Sequence, residues 1–393
     1  MNDNNLLVIT NSYPNHENSF VGGIFVKDQV NELKKYFNNI YVISPLAYGI
    51  QALRKTKFQD YSYDNVSVFF PRYLNIPLFW FVGRSFWLII EERAIIALIK
   101  KQRIDFSIIH SHFTWPSGSV AVRIKKKYSV PLIITEHSSE TFNQAIYKKD
   151  RFFINAWVEA DRIIRVRKND IIKFIQVGIS ADKVIAIPNG FNTRIFRSID
   201  PMECRKKLNL PFDKKIILNV GNLYSEVKGH KYLIDAISII SKENKKFICI
   251  IVGSGSLRKK LEKDSTSRGL NDFIKFVGSV KHDEIPLWIN ACDVFVLPSL
   301  NEGNPTVMFE ALGCGKPFIG TRVGGVPEVI TSEDYGLLVE PANSEDLAEK
   351  ILISLNREWD QKKILDHAGQ FTWDSIAKQI VDVYKQVLKE NPE

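Results

Sequence analysis

The residues of this chain best equipped for chemistry lie between Asn301 and Ile330, in the stretch NEGNPTVMFEALGCGKPFIGTRVGGVPEVI. Two carboxylates, Glu302 and Glu310, stand eight positions apart, with Gly303, Asn304, Pro305, Thr306 and Val307 between them and the start of an apolar run. Pro305 suits the first position of a helix, where its missing N–H would have no partner in any case. Asn304 suits the cap of the same helix end. On that reading Glu302 sits in the loop before the helix, Glu310 sits more than one turn inside it, and Gly313 and Gly315 stop it. The unbonded amides at the helix start, with the helix dipole behind them, form an anion site. A phosphate cradle beside two hydroxyl-accepting carboxylates suits a sugar nucleotide, which carries a pyrophosphate between two polyols.

Other polar groups sit where a strand gives way to a helix. Gly22 and Gly23, in Ser19-Phe-Val-Gly-Gly-Ile24, allow close approach of backbone to ligand after the first strand. Lys228, in Val220-Gly-Asn-Leu-Tyr-Ser-Glu-Val-Lys-Gly229, lies near the start of the next helix, where an ammonium meets a diphosphate. Asn222 belongs to the same turn. Gly253 stands in the turn Val252-Gly-Ser-Gly255, and Val280 closes a third strand end that offers backbone hydrogen bonds to a flat base. The GxG of that turn lacks the GxGxxG spacing of a dinucleotide site. His110, His112 and His137 fall at strand ends of the first half. A His-x-His pair invites zinc, but no third ligand has convincing spacing, so no metal is expected. His137 is a candidate for polar contact with a sugar hydroxyl. There is no DxD carboxylate pair and no GxSxG elbow.

The elements that must position these groups alternate throughout. Strand-like apolar runs are expected at Leu6–Thr10, Ile40–Ser44, Val66–Phe70, Phe106–His110, Leu132–Glu136, Arg162–Val166 and Val184–Ile187, then at Ile216–Val220, Phe247–Val252, Ile274–Val277, Val294–Leu297, Phe318–Ile319 and Leu337–Val339. Amphipathic stretches such as Gly23–Phe37, Trp115–Tyr128 and Lys168–Gln176 lie between. Such alternation predicts an α/β fold with a doubly wound parallel sheet in each half. The length of 393 residues fits two domains. The expected partition is an acceptor-side domain at 1–195, a turn-rich linker at 196–213, a donor-binding domain at 214–372, and a last helix, 373–393, packing back on the first domain. Two such domains would face each other across a cleft lined by strand ends, where open α/β sheets bind ligands.

Bulk properties narrow the classes. Hydrophobic content of 45% and charged content of 25% are ordinary for a globular protein. The N-terminal MNDNNLLVITNSYP lacks the basic and long apolar regions of a signal peptide. Cys204, Cys249, Cys292 and Cys314 form no CxxC pair and read as reduced structural thiols, which points to the cytoplasm. Residues 1–200 carry a net charge of +10, residues 201–393 a net of −1. A basic first half implies an anionic partner. No nucleic-acid module is present, so an anionic membrane surface or a phosphorylated lipid acceptor fits better than nucleic acid. Tyr73 to Ile99 is dense in Phe and Trp, yet Arg84 and Glu91-Glu92-Arg93 keep any apolar run below the roughly 20 residues needed to span a bilayer. The segment suits the membrane interface plane, a core helix or an oligomer contact.

Taken in order, Phe20-Val-Gly-Gly23, Thr135-Glu-His137, Ala160-Asp-Arg-Ile-Ile164, Ile187-Pro-Asn-Gly190, Val220-Gly-Asn222, Lys228-Gly229, Val252-Gly-Ser-Gly255 and the Glu302/Glu310 segment resemble glycosyltransferase family 4, retaining enzymes of GT-B architecture. The resemblance covers nearly the whole chain, and its last segment is the most specific. It implies transfer of a sugar from a nucleoside diphosphate to an acceptor hydroxyl, with no cofactor or metal, and with UDP favoured over GDP by frequency in the family. Surface polysaccharide or lipid-linked glycan synthesis on the inner face of the membrane is the expected setting. By the same resemblance Glu310 holds the ribose hydroxyls, Glu302 binds the transferred sugar, and Lys228 neutralises the leaving diphosphate. Amides from Asn304 to Val307 and Gly23 bind phosphate or sugar, and His137 touches the sugar near its reacting carbon. Three residues depart from the family pattern. Asn222 stands where many members have Arg, Arg167 where a small Ser-type residue is common, and Asn192 where Asp is usual. Rival readings are a GT-B sugar-nucleotide epimerase, a non-catalytic nucleotide-sugar-binding protein and a membrane-surface protein.

Overall fold

A computed structural model describes residues 4–17, 20, 22–48, 58–74 and 83–391. Ser19 and Val21 of the first glycine turn, and residues 75–82 of the aromatic segment, lie outside the described residues. The strands run β1 Leu6–Thr10, β2 Ile40–Ile43, β3 Leu46–Tyr48, β4 Tyr61–Tyr63, β5 Val66–Phe69, β6 Arg72–Leu74, β7 Ile108–His112, β8 Leu132–Glu136, β9 Arg162–Arg165 and β10 Val184–Ala186, then β11 Lys215–Val220, β12 Phe247–Val252, β13 Ile274–Gly278, β14 Val294–Leu297, β15 Phe318–Thr321 and β16 Gly336–Val339. Five helices matter below: α1 Ile24–Leu33, α2 Arg84–Gln102, α3 His230–Glu243, α4 Thr306–Gly313 and α5 Trp373–Glu390.

The chain forms two compact units, one of residues 1–188 with 376–393, the other of residues 189–375. The first holds an eight-stranded sheet in the order β10-β9-β8-β7-β1-β2-β5-β4. All its pairings are parallel except β4 with β5. A two-stranded ladder, β3-β6, accompanies it. The second holds a six-stranded parallel sheet, β13-β12-β11-β14-β15-β16. In the second unit successive side chains alternate between two cores. Ile216, Leu218, Ile250, Val252, Phe295, Leu297 and Phe318 pack on one face. Ile217, Cys249, Ile251, Val294, Val296 and Ile319 pack on the other. Both faces are covered by helices, so the strands read as unbroken apolar runs rather than alternating ones.

Two expectations are corrected by the fold. Residues 196–213 are not a linker. Phe196, Cys204 and Leu210 are buried in the core of the second unit, and Pro201–Lys207 is a helix whose Asp200 cap accepts from the Met202 amide. The strand expected at Phe106–His110 runs from Ile108 to His112, so His110 lies inside it. The three-residue strands β3, β4 and β6 gave no apolar run long enough to register. All four cysteines are buried and unbridged. Residues 376–393 group with the first unit, and within it the Tyr384 hydroxyl lies 2.6 Å from His110 Nδ1.

The aromatic segment resolves into α2, a helix with a buried stripe. Trp87, Leu88, Glu91, Ile95 and Ile99 face inward at helical spacing. Arg84 pairs with Asp150 at 2.6 Å and its guanidinium lies 3.9 Å from the Trp115 ring centre. Among the described residues no helix is long and apolar enough to cross a membrane. Glu91 is 1% exposed and accepts from Trp87 Nε1 at 2.9 Å. Burial pushes its carboxyl up to about 8, against the smaller opposing effect of hydrogen bonds from Trp87 and Tyr73. The folded chain therefore keeps a proton that the unfolded chain loses near the ordinary carboxylate value. Stability from this group is full below that value and is lost as pH rises through about 8. The slope is at most about 1.4 kcal/mol per pH unit. Chemical denaturation across pH 5–9 is expected to show Glu91→Gln near wild type at the acid end and more stable than wild type at the alkaline end.

Candidate functional site

The parallel register of the second sheet brings several strand ends onto one edge. Val220 pairs with Val252, Leu218 with Phe295 and Leu297 with Gly320. The turns that follow β11, β12, β14 and β15 therefore start side by side. They are tied by backbone: the Leu300 amide donates to Val227 O at 2.7 Å and the Gly325 amide to Gly303 O at 2.8 Å. Two glycines permit this closeness. A Cβ on Gly229 (φ 69°) would stand 1.9 Å from Pro298 O, and one on Gly324 (φ 58°) 2.0 Å from Glu302 O. Both φ values are in the left-handed region that favours glycine.

The consequence is a charge pair. Lys228 Nζ donates to Glu302 Oε1 at 2.8 Å, and Ser299 Oγ donates to the same oxygen at 2.6 Å. Thr321 Oγ1 in turn donates to the Ser299 carbonyl, which fixes the serine from the neighbouring strand. Glu302 is 7% exposed, whereas the Lys228 side chain is 28% exposed. The carboxylate is thus held from beneath and the ammonium reaches it from the side of solvent.

α4 begins one residue later than expected. Pro305 is its cap, with φ −69° and ψ 118°, and Thr306 is its first residue. Asn304 does not cap it. Its Oδ1 accepts from the Asn189 amide at 2.8 Å, and Asn189 Nδ2 donates to Asn304 O at 2.9 Å. This reciprocal pair turns the asparagine away from the helix and anchors the loop instead. Pro305 makes no side-chain cap hydrogen bond, so the first amides of α4 receive none from the cap position. Glu310, 9% exposed, lies on α4 with its Oε1 3.4 Å from His282 Nε2. Gly315, at φ 71°, follows the helix end.

The remaining second-unit candidates line the same edge. Asn222 is exposed in the turn after β11, and Val280 is half-buried after β13. Gly253 takes φ 145°, and a Cβ there would be 1.8 Å from Gly221 O. Gly22, Gly23 and His137 belong to the first unit. A Cβ on Gly23 (φ 73°) would meet Ser12 O at 2.2 Å, so the turn before α1 is pressed against the end of β1. His137 Nε2 lies 3.0 Å from His112 Nδ1, the two rings are stacked, and the Phe25 ring centre lies 4.7 Å from that of His137. His110 meets Tyr384 through Nδ1 and Thr135 through Nε2. Burial pushes His110 down to about 3 and His112 well below its ordinary value. Both are neutral rings in a hydrogen-bonded row.

The unusual residues are accounted for locally. Arg167 Nε donates to Asp170 Oδ2 at 2.6 Å, an oxygen shared with the buried Arg165. Asn192 Oδ1 accepts from the Arg194 amide at 3.0 Å and stabilises a turn. Sequence reasoning missed Ser299, Thr321 and His282 beside the carboxylates, and Asn189 beneath the loop. Ser299 carried a usable signal, since it ends the apolar run three residues before Glu302. The others approach from elsewhere in the chain.

Comparison with known proteins follows this geometry. Residues 202–370 match the family profile described as "Glycosyl transferases group 1", and residues 23–195 match "Glycosyltransferase Family 4". A putative teichuronic acid biosynthesis glycosyltransferase, TuaC, of Bacillus subtilis is 30% identical over 405 residues, which cover 98% of this chain and 99% of TuaC. The chain belongs to glycosyltransferase family 4. An uncharacterized glycosyltransferase, MJ1178, of Methanocaldococcus jannaschii is 32% identical over 299 residues, covering 74% of this chain and 78% of the relative. The Anabaena protein Alr3699/HepE, solved in complex with UDP, superposes with a TM-score of 0.75 at 22% identity, over 97% of this chain and all of that one. The fold of this family 4 member is accordingly GT-B, with two Rossmann-like domains, and its reaction class is sugar transfer.

The close approach of the turns makes a test independent of any ligand. Gly269 also has a positive φ, 71°, but a Cβ there would meet nothing within 4 Å. Gly269→Ala is expected to cost only the left-handed strain, about 1–2 kcal/mol. Gly324→Ala adds a collision with the Glu302 carbonyl, so thermal unfolding is expected to show a clearly larger loss of Tm.

Proposed function

We propose that this protein is a retaining, metal-independent glycosyltransferase that moves a sugar, of the hexosyl type, from a nucleoside diphosphate, UDP rather than GDP, to an acceptor hydroxyl. The observation that carries this reading is Lys228 Nζ at 2.8 Å from Glu302 beside the start of α4. An ammonium and a row of helix amides suit a diphosphate that gains negative charge as it leaves. Glu310, further into α4, suits the paired hydroxyls of a ribose, and Glu302 suits hydroxyls of the transferred sugar.

In the reaction proposed, the bond from the anomeric carbon to the phosphate oxygen breaks, and the bond to the acceptor oxygen forms on the same face. The acceptor's proton goes to the departing phosphate oxygen. The sugar passes through an oxocarbenium-like state, so stabilisation of charge is the task of the side chains. A diphosphate arriving at Lys228 competes with Glu302 for the ammonium, which leaves the fixed carboxylate able to accept from a sugar hydroxyl. The UDP complex of the Anabaena neighbour supports the base assigned here, and the name of the Bacillus relative supports a surface-polysaccharide acceptor. A cytoplasmic protein bound peripherally to an anionic membrane fits the excess charge of the first 200 residues, net +10.

Turnover at saturating donor is expected to fall by about 10²–10³ in Lys228→Ala, comparable to loss of one transition-state donor. Full turnover in that variant would remove the leaving-group role. Glu310→Ala is expected to act on KM for the donor, by about tenfold or more for lost hydrogen bonds to a charged group, with kcat little changed. A chelator is expected to leave the rate unaltered, and product NMR to show the donor's anomeric configuration. Consumption of donor without any acceptor would point to an epimerase instead.

A further inference from the structure

His230 is the first residue of α3, directly after Lys228 and Gly229. Gly229 turns the chain so that the imidazole is carried inward, where it is 3% exposed. Buried imidazoles ordinarily find partners for their polar nitrogens. His230 Nε2 is buried and has no hydrogen-bond partner. Its nearest cover is a glycine turn. A Cβ on Gly221, the residue just after β11, would have His230 Nε2 as its only neighbour within 4 Å, at 3.9 Å. The glycines of the next turn are different: a Cβ on Gly253 or Gly255 would lie 1.8 or 2.1 Å from backbone atoms. The nitrogen therefore lies beneath the Gly221 turn, where the missing side chain leaves space, beside exposed Asn222. The cap residue of α3, Gly229, has no side chain to satisfy its first amides, and the positive end of the helix dipole is directed at the same place. Burial first, and the charge of Lys228 second, push the His230 ring down to about 4. It stands there neutral, with Lys228 and, through it, Glu302 as its charged neighbours.

We propose that His230 is a further donor-binding residue, whose Nε2 hydrogen-bonds a phosphoryl oxygen seated at the Gly221–Asn222 turn alongside Lys228. The proposal rests on the reading of this edge as a nucleoside-diphosphate site. It adds a neutral N–H donor to the ammonium and helix amides. An anion there supplies the acceptor that the buried nitrogen lacks.

The test uses the full chain and three proteins: wild type, His230→Leu and His230→Gln, whose amide nitrogen reaches near the position of Nε2. Calorimetry with UDP is expected to show binding weakened on the order of tenfold or more in His230→Leu, the worth of one hydrogen bond to a charged acceptor. The glutamine variant is expected to recover most of that loss, with thermal unfolding of both variants close to wild type. In wild type labelled with ¹⁵N-histidine, the Nε2 resonance missing from His230→Gln is expected to move on addition of UDP but not of uridine. Equal UDP affinity in wild type and His230→Leu overturns the proposal. So does an unmoved resonance with both variants equally weakened, which marks a packing role. If His230→Leu fails to fold, the wild-type resonance alone decides. Absence of binding by wild type to both UDP and GDP overturns the underlying reading together with this one.

Discussion

Lys228 and Glu302 are 74 residues apart in sequence and meet at 2.8 Å because two turns share a wall of backbone. Gly229 lies against the carbonyl of Pro298, and Gly324 lies against that of Glu302. Neither contact leaves room for a Cβ. The spacing between the turns is thus set by main-chain packing rather than by the flexible side chains that do the chemistry. Removing the lysine would take the counter-charge from a nearly buried carboxylate, a costly change. Removing either glycine would separate the partners. The same constraint explains why Thr321 matters without touching a charge: it holds the carbonyl of the serine that holds the glutamate.

A buried ion pair is poor evidence of stability, since desolvation offsets much of its attraction. Here its asymmetry is the informative part. Glu302 is 7% exposed and fastened by two donors to one oxygen, while the lysine side chain is 28% exposed. The carboxylate is the fixed member and the ammonium the movable one. A polyanion approaching the edge can take the lysine without unfolding the loop, because Ser299 and the Asn189–Asn304 pair continue to hold it. An arrangement of this kind exchanges one counter-charge for another, which limits the reorganisation needed when a diphosphate binds or departs.

What the amino-acid sequence disclosed follows the range of each interaction. The second sheet was legible because its strands are buried on both faces, and runs such as Val294–Leu297 and Phe247–Val252 match the observed limits. The segment from Glu302 to Glu310 was legible because loop, helix and both carboxylates are contiguous. Residues 196–213 were misread because their apolar positions, Phe196, Cys204 and Leu210, are spaced by turns and by one short helix, so no period appears. The cap of α4 was misread for a related reason. Asparagine is a good cap by local preference, but Asn189 offers Asn304 a pair of hydrogen bonds from more than a hundred positions away. His282 and Thr321 were invisible on the same ground, the one supplied by the turn after β13 and the other by the last residue of β15.

His137, singled out by its place at a strand end, is constrained in what it can do. Its Nε2 is committed to His112 Nδ1 at 3.0 Å, and the rings are stacked 5.3 Å apart. Burial keeps His112 neutral, with the neighbouring rings of His110 and His137 acting in the same direction. A neutral His112 has one proton. If Nδ1 carries it, His137 Nε2 accepts, and a neutral His137 then has its own proton on Nδ1. If His137 Nε2 carries the proton instead, its Nδ1 is an acceptor. In both cases the hydrogen bond to His112 fixes whether the buried Nδ1 of His137 carries a proton, and the Phe25 ring 4.7 Å away restricts the tilt of the imidazole. The tautomer of His137 is thus set by the buried histidine behind it.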